Sequence, residues 1–230
     1  RENLGEAAER RMAVLNPLKI VLTNYPEDKV EMMEAMNHPG RPELGTREMP
    51  FSRELWIERD DFMEDAPRKF FRLKPGGEVR LRFGYIIQCN EVIKNDSGDV
   101  IELRCSYDPD TRSGTGSSDR KVKGTIHWVS CQHAVDAEVR LYDRLFNEAN
   151  PNTASDFHSA LNPKSVETVT AMLEPALADL EPGQAVQFER LGYFCTDEKD
   201  DSADSRVINR IVTLRDSWAK LEKQALQQNG

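Results

Sequence analysis

Val79-Arg80-Leu81-Arg82-Phe83-Gly84-Tyr85-Ile86-Ile87 is the stretch on which the fold turns. Apolar side chains recur there at Val79, Leu81, Phe83, Tyr85 and Ile87. That period of two predicts one strand with a buried face and places Arg80 and Arg82 together on the other. Downstream, Asn90 to Lys94 and Val100 to Tyr107 flank Asn95-Asp96-Ser97-Gly98-Asp99, which has the composition of a hairpin turn. Upstream, Leu18 to Thr23 and Glu54 to Glu58 are further strand-like runs, parted by a Pro- and Gly-rich loop from Asn37 to Gly45. Residues 109 to 119 carry almost no apolar group and read as a mobile loop.

A second set of strands begins at Val122 and includes Thr125 to Val129, Glu138 to Phe146, Ala185 to Cys195 and Val207 to Leu214. Helices are expected over Arg1 to Met12, rich in Glu, Ala and Arg, at Ser165 to Leu173, and at Ser217 to Gln227, rich in Ala, Leu, Lys and Gln. The expected fold is all-β: two β-barrels with short flanking helices. Residues 1–14 end a helical connector, 15–112 form the first barrel, 122–206 the second, and 207–230 a returning strand and C-terminal helix.

The 230 residues are 38% hydrophobic, enough for a packed core, with a formal net charge of −9. That acidity argues against a uniformly basic nucleic-acid footprint but leaves room for a local one. No apolar run approaches a membrane span, so no membrane partner is expected. Cys89, Cys105, Cys131 and Cys195 lack metal or redox spacing and read as buried free thiols of a reducing, cytoplasmic compartment. The chain opens at Arg1 inside what reads as a running helix, and is expected to be a piece of something longer.

A search for catalytic patterns finds no Gly-rich phosphate loop, no metal-spaced His/Cys set and no Gly-x-Ser-x-Gly elbow. No catalytic residue and no metal ligand is assigned. His127, beside Trp128, reads as a hydrogen-bonded structural histidine, and Asp197 to Asp201 as a solvated hairpin tip. Residues 68 to 82 stand apart. Arg68, Lys69, Arg72, Lys74, Arg80 and Arg82 face Glu78 alone, a local charge of +5, with Phe70, Phe71 and Phe83 interleaved. Cations beside rings that can stack on bases suit single-stranded nucleic acid. The same pattern also fits arginines paired with carboxylates around core phenylalanines, in an acidic β-rich interaction domain.

Lys121-Val-Lys-Gly-Thr-Ile-His-Trp-Val-Ser130 and Glu138-Val-Arg-Leu-Tyr-Asp-Arg-Leu-Phe146 tip that balance. They closely resemble the carboxy-terminal half of glutaminyl-tRNA synthetases, class I aminoacyl-tRNA synthetases. So do Met12-Ala-Val-Leu-Asn-Pro17, Asn37-His-Pro39, Phe188-Glu-Arg-Leu-Gly-Tyr-Phe194, and Asn209-Arg210 leading to Leu214-Arg-Asp-Ser-Trp218, in the family's order. The eukaryotic and archaeal type of glutamyl-tRNA synthetase shares these barrels and is the nearest alternative.

The resemblance implies two barrels that read the tRNA(Gln) anticodon loop, joined to a catalytic half of the same polypeptide. That half would use ATP with Mg to attach glutamine to tRNA for protein synthesis. The family's two ATP-site signatures, of the His-Ile-Gly-His and Lys-Met-Ser-Lys-Ser types, are absent here. These residues therefore need no cofactor and have no activity alone; the expected partner is RNA rather than DNA, and the expected state a monomer. By the same resemblance, Arg10 and Gln187 match positions that read the middle base, a uridine. Arg72 matches the position for the third base, a guanine, and Arg80 that for the first, a cytosine or uridine. Arg82, Arg190, Arg215 and Ser217 are supporting RNA-binding candidates. Period two puts Gln187 on the exposed side, opposite Val186 and Phe188. Gly5 and Gly40 fall where related enzymes can have asparagines facing the loop, and those contacts are not carried over; Lys69 and Phe71 sit where other polar or basic residues occur in the family, which leaves phosphate contacts there open.

Overall fold

Runs of β-branched and aromatic residues too short for independent helices must pair with one another to satisfy their backbones, and here they form two curled sheets. The computed structural model describes residues 1–115, 119–147 and 157–214. Helix α1 (Glu2–Ala7) leads into β1 (Glu9–Arg11) and β2 (Ala13–Val14), then β3 (Pro17–Leu22), β4 (Glu31–Met36), β5 (Thr46–Phe51) and β6 (Glu54–Glu58). Next come β7 (Glu78–Leu81), β8 (Ile86–Lys94), β9 (Val100–Asp108), β10 (Thr125–Ile126) and β11 (Val129–Ser130). The later strands are β12 (Val135–Tyr142), β13 (Val166–Leu173), β14 (Ala185–Phe188), β15 (Gly192–Thr196) and β16 (Arg206–Thr213).

One seven-stranded sheet has the order β10-β7-β8-β9-β3-β6-β11, and the other β1-β14-β15-β16-β12-β13-β2; β4 and β5 form a separate hairpin. The edges of each sheet are consecutive pieces of one segment. Only His127 and Trp128 part β10 from β11, and only Met12 parts β1 from β2. Three Cα steps span at most about 11 Å, so each sheet must curl until its edges nearly meet. The all-β, two-barrel expectation holds.

Sheet membership crosses the spacing of strands along the chain. Residues 125–130 close the first barrel although they follow the long loop, and residues 9–14 close the second although they precede the first. Along that second closing segment alternate side chains enter different cores. Met12 and Val14 join the first, with Ile20, Phe51 and Trp128, while Ala13 joins the second, with Phe188 and Phe194.

Four local expectations are corrected. Val79 to Ile87 is a tight hairpin rather than one strand: β7 pairs antiparallel with β8, Val79 opposite Ile87, and Phe83 turns the chain at φ 62°. Ala185 to Cys195 is likewise a hairpin, turned by Arg190 at φ 68°. Residues 166–173 are a strand, because pairing along the whole length of β12 overrides the helix preference of Ala171, Met172 and Leu173. The opening helix stops at Ala7, where the chain turns into the extended segment that closes the second barrel. Val100 to Asp108 does pair with Ile86 to Lys94 about a turn with Gly98 at φ 85°, as its composition predicts. The expected helix at 217–227 lies outside the described residues.

All four cysteines are free; Cys89 and Cys105 face each other, buried, across β8 and β9, while Cys131 and Cys195 are half-buried. No helix among the described residues is long and apolar enough to cross a membrane.

Candidate nucleic-acid interface

The segment after β6 cannot pair as a strand, since Pro67, Pro75 and two glycines interrupt it. It is pinned instead by the fully buried Leu73, whose amide donates to the Asp61 carbonyl at 2.9 Å. Arg68, Arg72 and Lys74 thereby stand along one wall of a groove of about 360 Å³, with Lys121 and Lys123 on the other. Gly124 closes the far wall against the Phe71 carbonyl, where no side chain could fit. Five cations thus line a groove whose only carboxylate among its lining residues is Glu78, itself paired with Arg120 at 2.8 Å.

Arg80 and Arg82 do not share the face that the sequence suggests, because the hairpin turn separates them. Arg80 turns inward to the carbonyls of Thr111 at 2.8 Å and Arg120 at 3.2 Å. Burial, and then the Arg120 charge, hold its guanidinium below the usual arginine range. Arg82 reaches the second barrel, with Nε 3.1 Å from Glu189 Oε1.

Arg190 is also an inter-barrel group. Its two terminal nitrogens donate to both Asp61 oxygens at 2.6 Å, and Nη1 also lies 3.1 Å from His127 Nδ1. An accepting Nδ1 leaves Nε2 to donate to Glu58 Oε1 at 3.3 Å. Glu58 in turn accepts the amides of Leu15 and Asn16. Burial lowers the Arg190 guanidinium, but the Asp61 bonds outweigh it and its pKa ends raised. Arg72 shares that carboxylate, its Nε 3.4 Å from Asp61 Oδ1, and Nη1 donates to the Asp60 carbonyl at 3.1 Å. Arg72 therefore lines both the basic groove and a second cleft, of about 170 Å³, with Asp61, His127 and Arg190.

Arg10 and Gln187 meet. They are register partners where β1 runs parallel to β14, although 176 residues of chain separate them. Arg10 donates to the carbonyls of Ala8 at 2.8 Å and Gly5 at 3.0 Å, which leaves further N–H groups for a ligand. Gln187 is buried at 8% exposure, not exposed as its alternation suggests, since Tyr193 on β15 flanks it from the other side. Its amide makes no side-chain hydrogen bond among the described residues. His38 braces the same corner, accepting from the Gly40 amide at Nδ1 and donating from Nε2 to the Gly5 carbonyl at 2.9 Å.

Two family models match, both described as tRNA synthetases class I (E and Q), anti-codon binding domain, over residues 8–108 and 125–197. Together they take in about three quarters of the sequence. The chain belongs to this anticodon-binding family. It is 58% identical over 221 residues to the glutamine--tRNA ligase of Nitrobacter hamburgensis, covering 96% of this chain and 39% of that protein. It is 58% identical to that of Rhodopirellula baltica, covering 96% and 37%, and 55% identical to that of Bordetella avium, covering 95% and 38%. The chain spans about two fifths of the length of the curated relatives it matches. These relatives are of the glutaminyl branch to which the sequence motifs pointed.

Within this anticodon-binding fold, Lys121, Lys123 and Asp61 escaped sequence reasoning. The alternation Lys121-Val122-Lys123 was the available signal for the groove's second wall; Asp61 had none, one acid among 40. Arg215 and Ser217 lie outside the described residues. Those residues include no group of three or more His, Cys, Asp or Glu able to hold a metal ion.

Proposed function

We propose that this chain is the anticodon-recognition region of a glutamine–tRNA ligase and that its partner is the anticodon loop of a glutamine tRNA. One observation carries the reading: the cross-strand register of Arg10 and Gln187. The resemblance assigns both to the middle base, and they lie side by side in a barrel that only distant parts of the chain can close. A Gln amide can donate to one uracil edge group and accept from another, and Arg10 adds donors. Arg72, with two donors tied to Asp60 and Asp61, would present the others to guanine, worth about 1–3 kcal/mol of discrimination. Arg80 would read the first base only by releasing some of its carbonyl partners. Arg82 and Arg190 support the site by holding the barrels at a fixed spacing rather than by meeting RNA themselves.

The remainder of the polypeptide would bind ATP with Mg and perform the ligation in the cytoplasm, as a monomer. Unpaired bases captured here would place the acceptor end there.

A fluorescence titration of this chain against a stem-loop carrying CUG, beside one with the middle base changed, tests the reading. Preference for the uridine loop is expected, with affinity falling as salt rises at a log–log slope of about −0.7 per phosphate contacted. Binding to neither loop, or equal binding without a salt slope, would overturn Arg10 and Gln187 as a base-reading pair that works without the remainder of the polypeptide.

A further inference from the structure

Phe71 is 49% exposed, although burying a phenylalanine ring is worth about 1.5–3 kcal/mol. A lone exposed ring needs no special account. This one sits inside a concave, cation-lined groove, next to Phe70, on a backbone tied down on either side. The Phe70 amide donates to Pro67 and the Leu73 amide to Asp61, both at 2.9 Å, and Gly124 backs directly onto the Phe71 carbonyl. Each ring already carries a cation. Arg72 lies 5.7 Å from the Phe70 centroid, and the Lys123 ammonium 5.2 Å from that of Phe71.

A rigid aromatic surface with positive charge on both walls is what an unpaired base and its flanking phosphates require. We propose that Phe71 is a stacking platform for one unpaired nucleobase of the bound RNA, with Lys123 and Arg68 engaging the adjoining phosphates. The proposal rests on the anticodon-loop reading and adds a contact of another kind. Arg72 discriminates among bases by hydrogen bonding, whereas every base has a π-face, so Phe71 contributes affinity without choosing a base.

The test combines Phe71→Leu, Phe71→Trp and Lys123→Gln with stem-loops carrying 2-aminopurine at single loop positions. At one position the fluorophore is expected to be quenched by the unaltered chain and by F71W, and to stay bright with F71L. F71L should weaken binding about 5- to 150-fold, equally for all four bases at that position, with the salt slope unchanged. K123Q should instead reduce the slope by about 0.7. Equal thermal midpoints for the unaltered chain and F71L would show that the half-exposed ring does not hold the fold. Unaltered affinity in F71L, or no quenching at any position while the loop still binds, overturns the stacking site alone. Failure of the unaltered chain to bind any loop overturns both the stacking site and the recognition reading.

Discussion

Glu31 gathers the polar ends of an aromatic cluster in the core of the first barrel. Tyr25 donates to it at 2.7 Å and Tyr85 at 3.0 Å, while Tyr25, Phe51, Tyr85 and Tyr107 pack edge to face with centroids 4.9–5.4 Å apart. Burial first, then the bond to the Glu31 carboxylate and its charge, push the Tyr85 phenol up to about 12. Tyr25 shifts the same way for the same reasons. An unfolded phenol ionises near pH 10, so the folded state holds the proton more tightly. The resulting stability is fully present below pH 10 and is lost as the pH rises through about 12. Urea midpoints measured from pH 9 to 12 should fall in the natural chain and fall less in Tyr85→Phe, the remainder belonging to Tyr25. Single residues also account for what the sequence hid. The turn about Asn95 to Asp99 was legible because Gly98 takes a positive φ without steric cost. The turns at Phe83 and Arg190 were not, since each places a side chain rather than a glycine at positive φ, and a non-glycine there costs on the order of 1–3 kcal/mol. Both tips touch across the barrels through Arg82 and Glu189, so contacts visible only in three dimensions hold those turns.

Strands of two or three residues are too short to declare themselves by periodicity, yet they close both barrels. Phe188 was readable as strand, whereas Leu173 was read as helix, and nothing local announces that residues 9–11 would lie beside the first and 13–14 beside the second. The Glu189 amide donates to the Arg11 carbonyl at 2.8 Å, and the Glu174 amide to that of Met12 at 3.1 Å. Glu174 returns the contact, accepting the Met12 amide at 2.9 Å and binding Arg47 of β5 through both oxygens. A chain lacking residues 1–14 leaves β13 and β14 as bare edges, which invite pairing with other chains. In hydrogen exchange the amides of Glu174 and Glu189 should lose protection, while β8 and β9 keep theirs. Adding a peptide of residues 1–16 should restore it. Protection that survives the deletion would mean that the second barrel closes by another route.

At the scale of the molecule the two barrels act as a unit because buried charge spans them. Asp61, with its side chain 2% exposed, belongs to the first barrel and its bidentate partner Arg190 to the second. Arg190→Ala leaves that carboxylate with Arg72 alone, at 3.4 Å, and removing one member of a buried pair costs up to about 3–5 kcal/mol. Urea unfolding should show a loss of that order, with Arg190→Lys intermediate because an ammonium cannot bridge both oxygens. A loss below about 1 kcal/mol would instead place the pair among ordinary surface bridges. Net acidity outside the groove favours one orientation for a polyanion approaching from solution. The segment that closes the second barrel carries a further consequence, in time. At about 5–20 residues per second, a ribosome finishes residues 9–14 roughly 10–35 s before β14 exists to receive them. The first barrel can complete itself once residue 130 has emerged. The second cannot close until β13 and β14 have emerged, so residues 9–14 spend the synthesis of everything between as an unclaimed strand whose proper partner has not yet been made.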